Sequence, residues 1–93
     1  MSVIVKDACR VIDADNLPLE TLDIDFSNAG SASFYIQNKT GSLAYDMQYK
    51  SNHPNIKVSG PKVLPSWHKA ILDISWEPCD EGDYYIDIHN KMR

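Results

Sequence analysis

The sequence predicts an all-β fold, a sandwich of two antiparallel sheets with about seven strands. Apolar and polar residues alternate with a period of two in successive runs, which places alternate side chains on one face of a sheet. Clusters of Gly, Asn, Pro and Ser separate these runs, and such residues supply the backbone angles that turns need. No segment combines a helical period with helix-capping residues.

The predicted strands follow the alternating runs in chain order. They cover residues 3–5, 22–26, 32–38, 43–49, 56–58, 70–76 and 84–88, and the stretches between them include SNAGS, NKTGS, SNHPN, SGPKVLPS and EPCDEGD. Apolar residues take every second position in the longer runs, and the set predicted to face the core is Leu22, Ile24, Phe26, Phe34, Ile36, Tyr45, Met47, Leu72, Ile74, Trp76, Tyr84, Ile86 and Ile88. Burying each large apolar side chain contributes about 1.5–3 kcal/mol before entropy is subtracted.

The connection at residues 38–42, NKTGS, joins two of the predicted strands. Five residues are long for a tight hairpin. The stretch is therefore either a hairpin with a long loop or the crossing from one sheet of the sandwich to the other.

Length and composition predict one folded domain over residues 1–93, with an N-terminal strand or arm at 1–20 and a sandwich body at 21–93. The net charge of −4 disfavours nucleic acid as a partner, because an acidic chain repels phosphate. The absence of a long apolar run predicts no membrane contact and no signal peptide, hence a cytoplasmic or virion protein. Cys9 and Cys79 are predicted to be free thiols, although a disulfide between them stays open.

Residues 22–88 resemble the immunoglobulin-like domains of the major sperm protein and ASH domain superfamily. The similar pieces, in order, are LDIDF, FYIQNKTGSLAYDM, IKVSGPKVLP, AILDISWEP and EGDYYIDI. The resemblance implies a seven-stranded sandwich module that serves as a scaffold or docking surface. It also implies that the connection at 38–42 crosses between the sheets.

The chain departs from that family at three places. Asp46 and Gln48 stand where the branch that binds acidic peptides carries basic side chains, and Ser66 and Trp67 follow Leu-Pro where Gly is usual. The family's last strand has no counterpart, so residues 84–90 are either an open sheet edge or are covered by the N-terminal segment. An open edge invites pairing with a strand of another chain by β-augmentation.

No catalytic residue, cofactor site or metal site is predicted. Cys79, His89 and Met92 occur in the order of copper ligands, but their spacing is too long and a second histidine is missing. The remaining histidines and cysteines show no zinc spacing, and the Asp-rich stretches fail the EF-hand pattern. Cys79 and His89 form the only Cys/His pair that is close in sequence, which is weak evidence for catalysis.

The predicted function is a non-enzymatic structural or docking module that assembles with itself or a protein partner, in a virion as a decoration or tail-neck subunit, or as a cytoskeletal accessory protein. The residues predicted to contact a partner are Trp67, Tyr85, Tyr35, Ile71, Asp87 and His89. Covering by the N-terminal arm is favoured for Tyr35 and Ile71, and a partner is favoured for Trp67. Two alternatives remain: a carbohydrate-binding module, which requires Trp67, Tyr35 and Tyr85 on one platform, and a small metal-binding protein.

Overall fold

The computed structural model describes residues 2–5, 9–13, 15–80 and 82–93, and these residues form two facing sheets. The strands are β1 (Ser2–Val5), β2 (Cys9–Ile12), β3 (Gly30–Asn38), β4 (Ala44–Ser51), β5 (Ile56–Ser59), β6 (Lys69–Trp76) and β7 (Tyr85–Met92). One sheet has the order β1-β7-β4 and the other the order β2-β3-β6-β5. The prediction of an all-β sandwich is confirmed, and strands β2 to β7 pair antiparallel.

The connection at 38–42 crosses between the sheets, because β3 and β4 belong to different ones. Asn38, which is fully buried, organises this crossing. Its Nδ2 donates to the carbonyl oxygens of Ser42 (2.7 Å) and Leu64 (3.0 Å), and its Oδ1 accepts from the backbone N (3.0 Å) and the hydroxyl (2.7 Å) of Thr40. The amide thereby fills its hydrogen-bonding capacity and ties the crossing to the Leu-Pro loop.

Strand β1 completes the three-stranded sheet, and it does so in the parallel direction. Ser2 lies opposite Tyr85 and Val5 opposite Ile88. Val3 N donates to the carbonyl oxygen of Glu20 (2.9 Å), and its side chain packs against the core. Of the two alternatives predicted for residues 84–90, covering by the N-terminal segment is confirmed over Tyr85–Ile88, because these residues pair with Ser2–Val5 on one side and β7 pairs with β4 on the other. An open edge over these four residues is wrong. Residues 1, 6–8 and 14 of the predicted arm lie outside the described residues.

Two predicted elements differ from the structure. Residues 22–26 form no strand, although Leu22 is buried and Ile24 and Phe26 pack against the core. Strand β2, which the sequence did not predict, pairs with β3 instead. Alternating side chains show which residues face the core, but a strand also needs a neighbouring backbone to bond with.

A β-bulge in β4 reverses the side-chain pattern that the sequence predicts there. The pairing with β7 shifts between Tyr45 and Gln48, and Asp46 has a φ of 51°. Ala44 and Met47 are consequently both buried, three residues apart. The prediction that Tyr45 faces the core is wrong, because it lies opposite Lys91 on the outer face.

The core lies between the two sheets. The predicted residues Leu22, Ile36, Met47, Leu72, Ile74, Ile86 and Ile88 are buried in it, and Cys9, Val11, Ala44, Ile56 and Leu64, which were not predicted, are buried there too. Ile24, Phe26, Phe34, Trp76 and Tyr84 are partly buried against this cluster. Cys9 and Cys79 are not joined by a disulfide, as predicted.

The ring of Tyr49 leaves no room for a side chain at position 60. A Cβ on Gly60 would lie 2.7 Å from Tyr49 Cζ. The ring is held in place because its hydroxyl donates to the carbonyl oxygen of Pro61 (2.6 Å). Burial of the Tyr49 side chain, together with nearby Cys9, raises the pKa of its phenol, so the hydroxyl stays protonated and keeps donating to Pro61.

We expect Gly60→Ala to lower the free energy of unfolding by about 1–3 kcal/mol, because the ring must leave its position. Gly41→Ala is the matched control, since a Cβ there meets nothing within 4 Å. It should be neutral or stabilise by up to about 1 kcal/mol. Urea unfolding of both variants checks this, and equal stabilities would contradict the role given to Tyr49.

Candidate interaction surface

Two large apolar side chains lie side by side at the centre of the outer face of the four-stranded sheet. Tyr35 on β3 and Ile71 on β6 are direct partners in the register, so both side chains project from the same face. Tyr35 is 37% exposed and Ile71 57% exposed. These two residues form the centre of what we call the outer patch.

The prediction that the N-terminal arm covers Tyr35 and Ile71 is wrong. The arm covers a different residue in the line of cross-strand partners that contains Tyr35 and Ile71. Ile12 on β2 lies opposite Tyr35, is fully buried and forms a β-bridge with Pro18. The following turn closes through a hydrogen bond from Asp13 N to Leu17 O (3.0 Å). The turn after β2 therefore covers Ile12, whereas Tyr35 and Ile71 stay in contact with solvent.

Opposite charges flank the outer patch along β6. Lys69 and Asp73 lie two residues before and two residues after Ile71, on the same face of the strand. Lys69 Nζ lies 5.1 Å from the centre of the Tyr35 ring and bonds to Asn16 Oδ1 (3.2 Å). Asp73 Oδ1 accepts from the hydroxyl of Ser33 (2.6 Å). The face therefore has an apolar centre with a cation at one end and an anion at the other.

Trp67 lies at the Lys69 end of this face. Its carbonyl oxygen accepts from Nε2 of Gln37, a residue that faces outwards beside Lys69. The indole side chain is 62% exposed, and the backbone φ of 61° is unusual for a bulky residue. Backbone strain at an exposed aromatic residue is more frequent at functional sites than elsewhere. We include Trp67 in the outer patch.

The other three predicted contact residues lie on the opposite side of the molecule. Tyr85, Asp87 and His89 alternate with the buried Ile86 and Ile88 on β7, so they face outwards from the three-stranded sheet. Asp87 Oδ1 and His89 Nε2 are 3.1 Å apart. Tyr35 and Tyr85 therefore lie on opposite outer faces, and the three-residue platform that the carbohydrate alternative requires is not formed.

A cysteine and a histidine that are far apart in sequence meet near the end of the molecule where β6 ends. Cys79 Sγ lies 3.7 Å from His53 Nδ1, whereas the Cys/His pair that is close in sequence is Cys79 and His89. Tyr84 packs edge-on against the His53 ring and donates its hydroxyl to the carbonyl oxygen of Asp80. Burial and the neighbouring Cys79 and Asp80 raise the pKa of the Tyr84 phenol.

Among the residues that the structure describes, the surroundings of this Cys–His pair do not match those of a catalytic thiol. Activation requires a nearby base and groups that stabilise the thiolate. Here His53 Nδ1 already accepts from the backbone N of Asn55 (3.1 Å), and Cys79 Sγ lies 3.2 Å from the carbonyl oxygen of Glu77. The thiol is thus placed as a hydrogen-bond donor to a carbonyl oxygen. Among the described residues, no group of three or more His, Cys, Asp or Glu side chains could hold a metal ion.

Comparisons with known proteins identified no relative. No family model, no curated protein and no solved structure matches the chain. The resemblance to the major sperm protein and ASH domains therefore stays a prediction. The part of the chain that the structure describes contains no helix with the length and apolarity needed to cross a membrane. What the fold and its surfaces define is an all-β sandwich with an exposed apolar patch on one outer face.

Alternation along the strands shows that Tyr35, Ile71 and Tyr85 face outwards. It does not show that they lie on two different outer faces, because that depends on the sheet to which each strand belongs. The segment KAILD carries a sequence signal for the flanking charges, because Lys69, Ile71 and Asp73 occupy alternate positions on the polar side of a strand. The Cys79–His53 contact has no signal in the sequence, since it depends on how two loops meet.

Proposed function

We propose that this chain is a non-enzymatic structural module that assembles with copies of itself, and that the outer patch is its assembly surface. The observation that carries the proposal is the exposed Tyr35–Ile71 pair at the centre of a sheet. Polar residues usually occupy such positions when one face of an antiparallel sheet meets water. Aromatic residues are enriched at protein interfaces, and an exposed apolar centre with a polar rim has the composition of one.

The strand order supports the immunoglobulin-like part of the proposal. Constant-type immunoglobulin domains have the order A-B-E-D in one sheet and pair strands C and F in the other. The order β2-β3-β6-β5 and the pair β4-β7 follow the same scheme. Strand β1 takes the place of the last strand, in the parallel direction. Such a module fits a structural subunit of a virion or a cytoskeletal accessory protein, and fold alone does not choose between them.

Sedimentation velocity over a range of protein concentrations tests the proposal. The wild type should exceed the mass of one 10.5 kDa chain as concentration rises. Ile71→Lys places a charge at the centre of the outer patch and should weaken association at least about 30-fold, as expected for an interface hot spot.

Tyr85→Lys is the matched control, because Tyr85 is 41% exposed on the opposite face. It should leave association unchanged. A wild type that stays a single chain at every concentration, or an equal loss in both variants, would contradict the proposal.

A further inference from the structure

We infer that two copies of this chain pack face to face through their four-stranded sheets, about a two-fold axis that runs across the strands through Tyr35 and Ile71. The inference rests on the proposed function and specifies its partner as a second copy in one orientation. The exposed apolar centre, the opposite charges on either side of it and the register of β3 and β6 carry it.

The register defines a line on the surface about which the face is self-complementary. Tyr35 and Ile71 are direct partners on adjacent antiparallel strands, so the line that joins them runs perpendicular to both strands. Rotation by 180° about that line brings a second sheet onto the first with its strands reversed. Tyr35 then meets Tyr35 of the second copy, and Ile71 meets Ile71. This is the arrangement of an isologous dimer, in which both copies use the same surface.

The same rotation pairs the charges. Lys69 and Asp73 lie at equal distances, each about 7 Å along β6, on the two sides of Ile71. Because the strands of the second copy run in the reverse direction, Lys69 of each copy faces Asp73 of the other. Both side chains are exposed. A two-fold axis along β6 would instead place Lys69 opposite Lys69 and Asp73 opposite Asp73, so the charge pattern favours the axis that runs across the strands.

The remaining cations of this face do not interfere with the arrangement. Arg10 lies on β2 opposite Gln37, and Lys57 lies on β5 opposite Ser75, so they occupy opposite sides of the sheet. Neither faces its own counterpart across the axis. Trp67, at the Lys69 end of the face, lies at each end of the dimer interface and extends the apolar contact.

Charge reversal tests the orientation. Lys69→Asp gives a chain with two negative groups beside the outer patch, and Asp73→Lys gives a chain with two positive groups. Each variant alone should dimerise at least about tenfold more weakly than the wild type, because like charges then face each other in both pairs. An equimolar mixture of the two should form a heterodimer, since both pairs become attractive. The double variant Lys69→Asp/Asp73→Lys should recover wild-type association.

Lys57→Asp is the control, because it reverses a cation of the same face that has no partner across the axis. Its dimerisation should stay within about threefold of the wild type, and the gain on mixing should shrink as salt is added. At protein concentrations too low for any chain to dimerise, all variants should keep the wild-type melting temperature, since the changed side chains are exposed.

If Ile71→Lys associates more weakly than the wild type but mixing the two charge variants produces no heterodimer, the proposed orientation is wrong and the outer patch remains the assembly surface. If the wild type is a single chain throughout, or if the single charge variants dimerise as well as the wild type while Ile71→Lys has no effect, both proposals are wrong.

Discussion

We expect Asn38→Asp to lower the free energy of unfolding by about 3 kcal/mol or more, although the two side chains have almost the same shape. The amide Nδ2 of Asn38 donates to two carbonyl oxygens, at 2.7 and 3.0 Å. A carboxylate cannot donate, so the substitution places a charged oxygen against both carbonyl groups in a fully buried position. Losing both carbonyl partners lowers the free energy of unfolding several times more than an ordinary surface substitution does. Burying an unpaired charge does so as well.

Urea unfolding at neutral pH measures this loss. Asn28→Asp is the control, because Asn28 is exposed and its side-chain Nδ2 donates to the neighbouring Ser27 hydroxyl (3.3 Å). It should change stability by less than about 0.5 kcal/mol. The deficit of Asn38→Asp should shrink as the pH falls, since a protonated carboxyl group regains one donor. A loss below about 1 kcal/mol at neutral pH would show that the Asn38 network does not hold the crossing.

The second large effect expected concerns strand β1. Removing residues 1–5 takes away the parallel partner of β7, the hydrogen bond from Val3 N to Glu20 O and the packing of Val3. At roughly 0.5–1.5 kcal/mol for each hydrogen bond, we expect a loss of about 2–4 kcal/mol. The uncovered edge of β7 should also promote aggregation.

A synthetic peptide of residues 1–8, added in excess to the shortened chain, should bind the vacated edge and raise the melting temperature. The same peptide with Val3→Asp is the control and should not, because Val3 packs against the core. A shortened chain as stable as the full one, or one that responds equally to both peptides, would show that β1 contributes nothing to the sheet.

The sequence predicted most of the sandwich because alternation records which side chains face the core. Strands β3, β6 and β7 follow their predicted runs closely, and the crossing after β3 is confirmed. The errors came from backbone geometry. At Asp46 the bulge inserts one residue into β4, so Ala44 takes the buried place that alternation assigned to Tyr45. A shift of one residue reverses the faces of a strand, and no side-chain pattern reports it in advance.

The candidate surface was predicted only in part. The sequence indicated Tyr35, Ile71 and Trp67 as contact residues, but it could not place them on a different face from Tyr85. That separation depends on which sheet each strand joins, which long-range pairing decides. The sequence also could not show that the N-terminal arm covers Ile12 and leaves Tyr35 exposed, because this depends on how the turn after β2 brings Pro18 back to Ile12.

Hydroxyl-radical footprinting of the wild-type chain at increasing protein concentration tests the assembly surface most directly. Tyr35 and Tyr85 are 37% and 41% exposed on opposite faces, so each serves as the control for the other. We predict that Tyr35 and Trp67 become protected from oxidation as concentration rises, while Tyr85 reacts at a constant rate. Protection of Tyr85 with Tyr35 unchanged, or constant rates at all three residues, would contradict assembly through the outer patch.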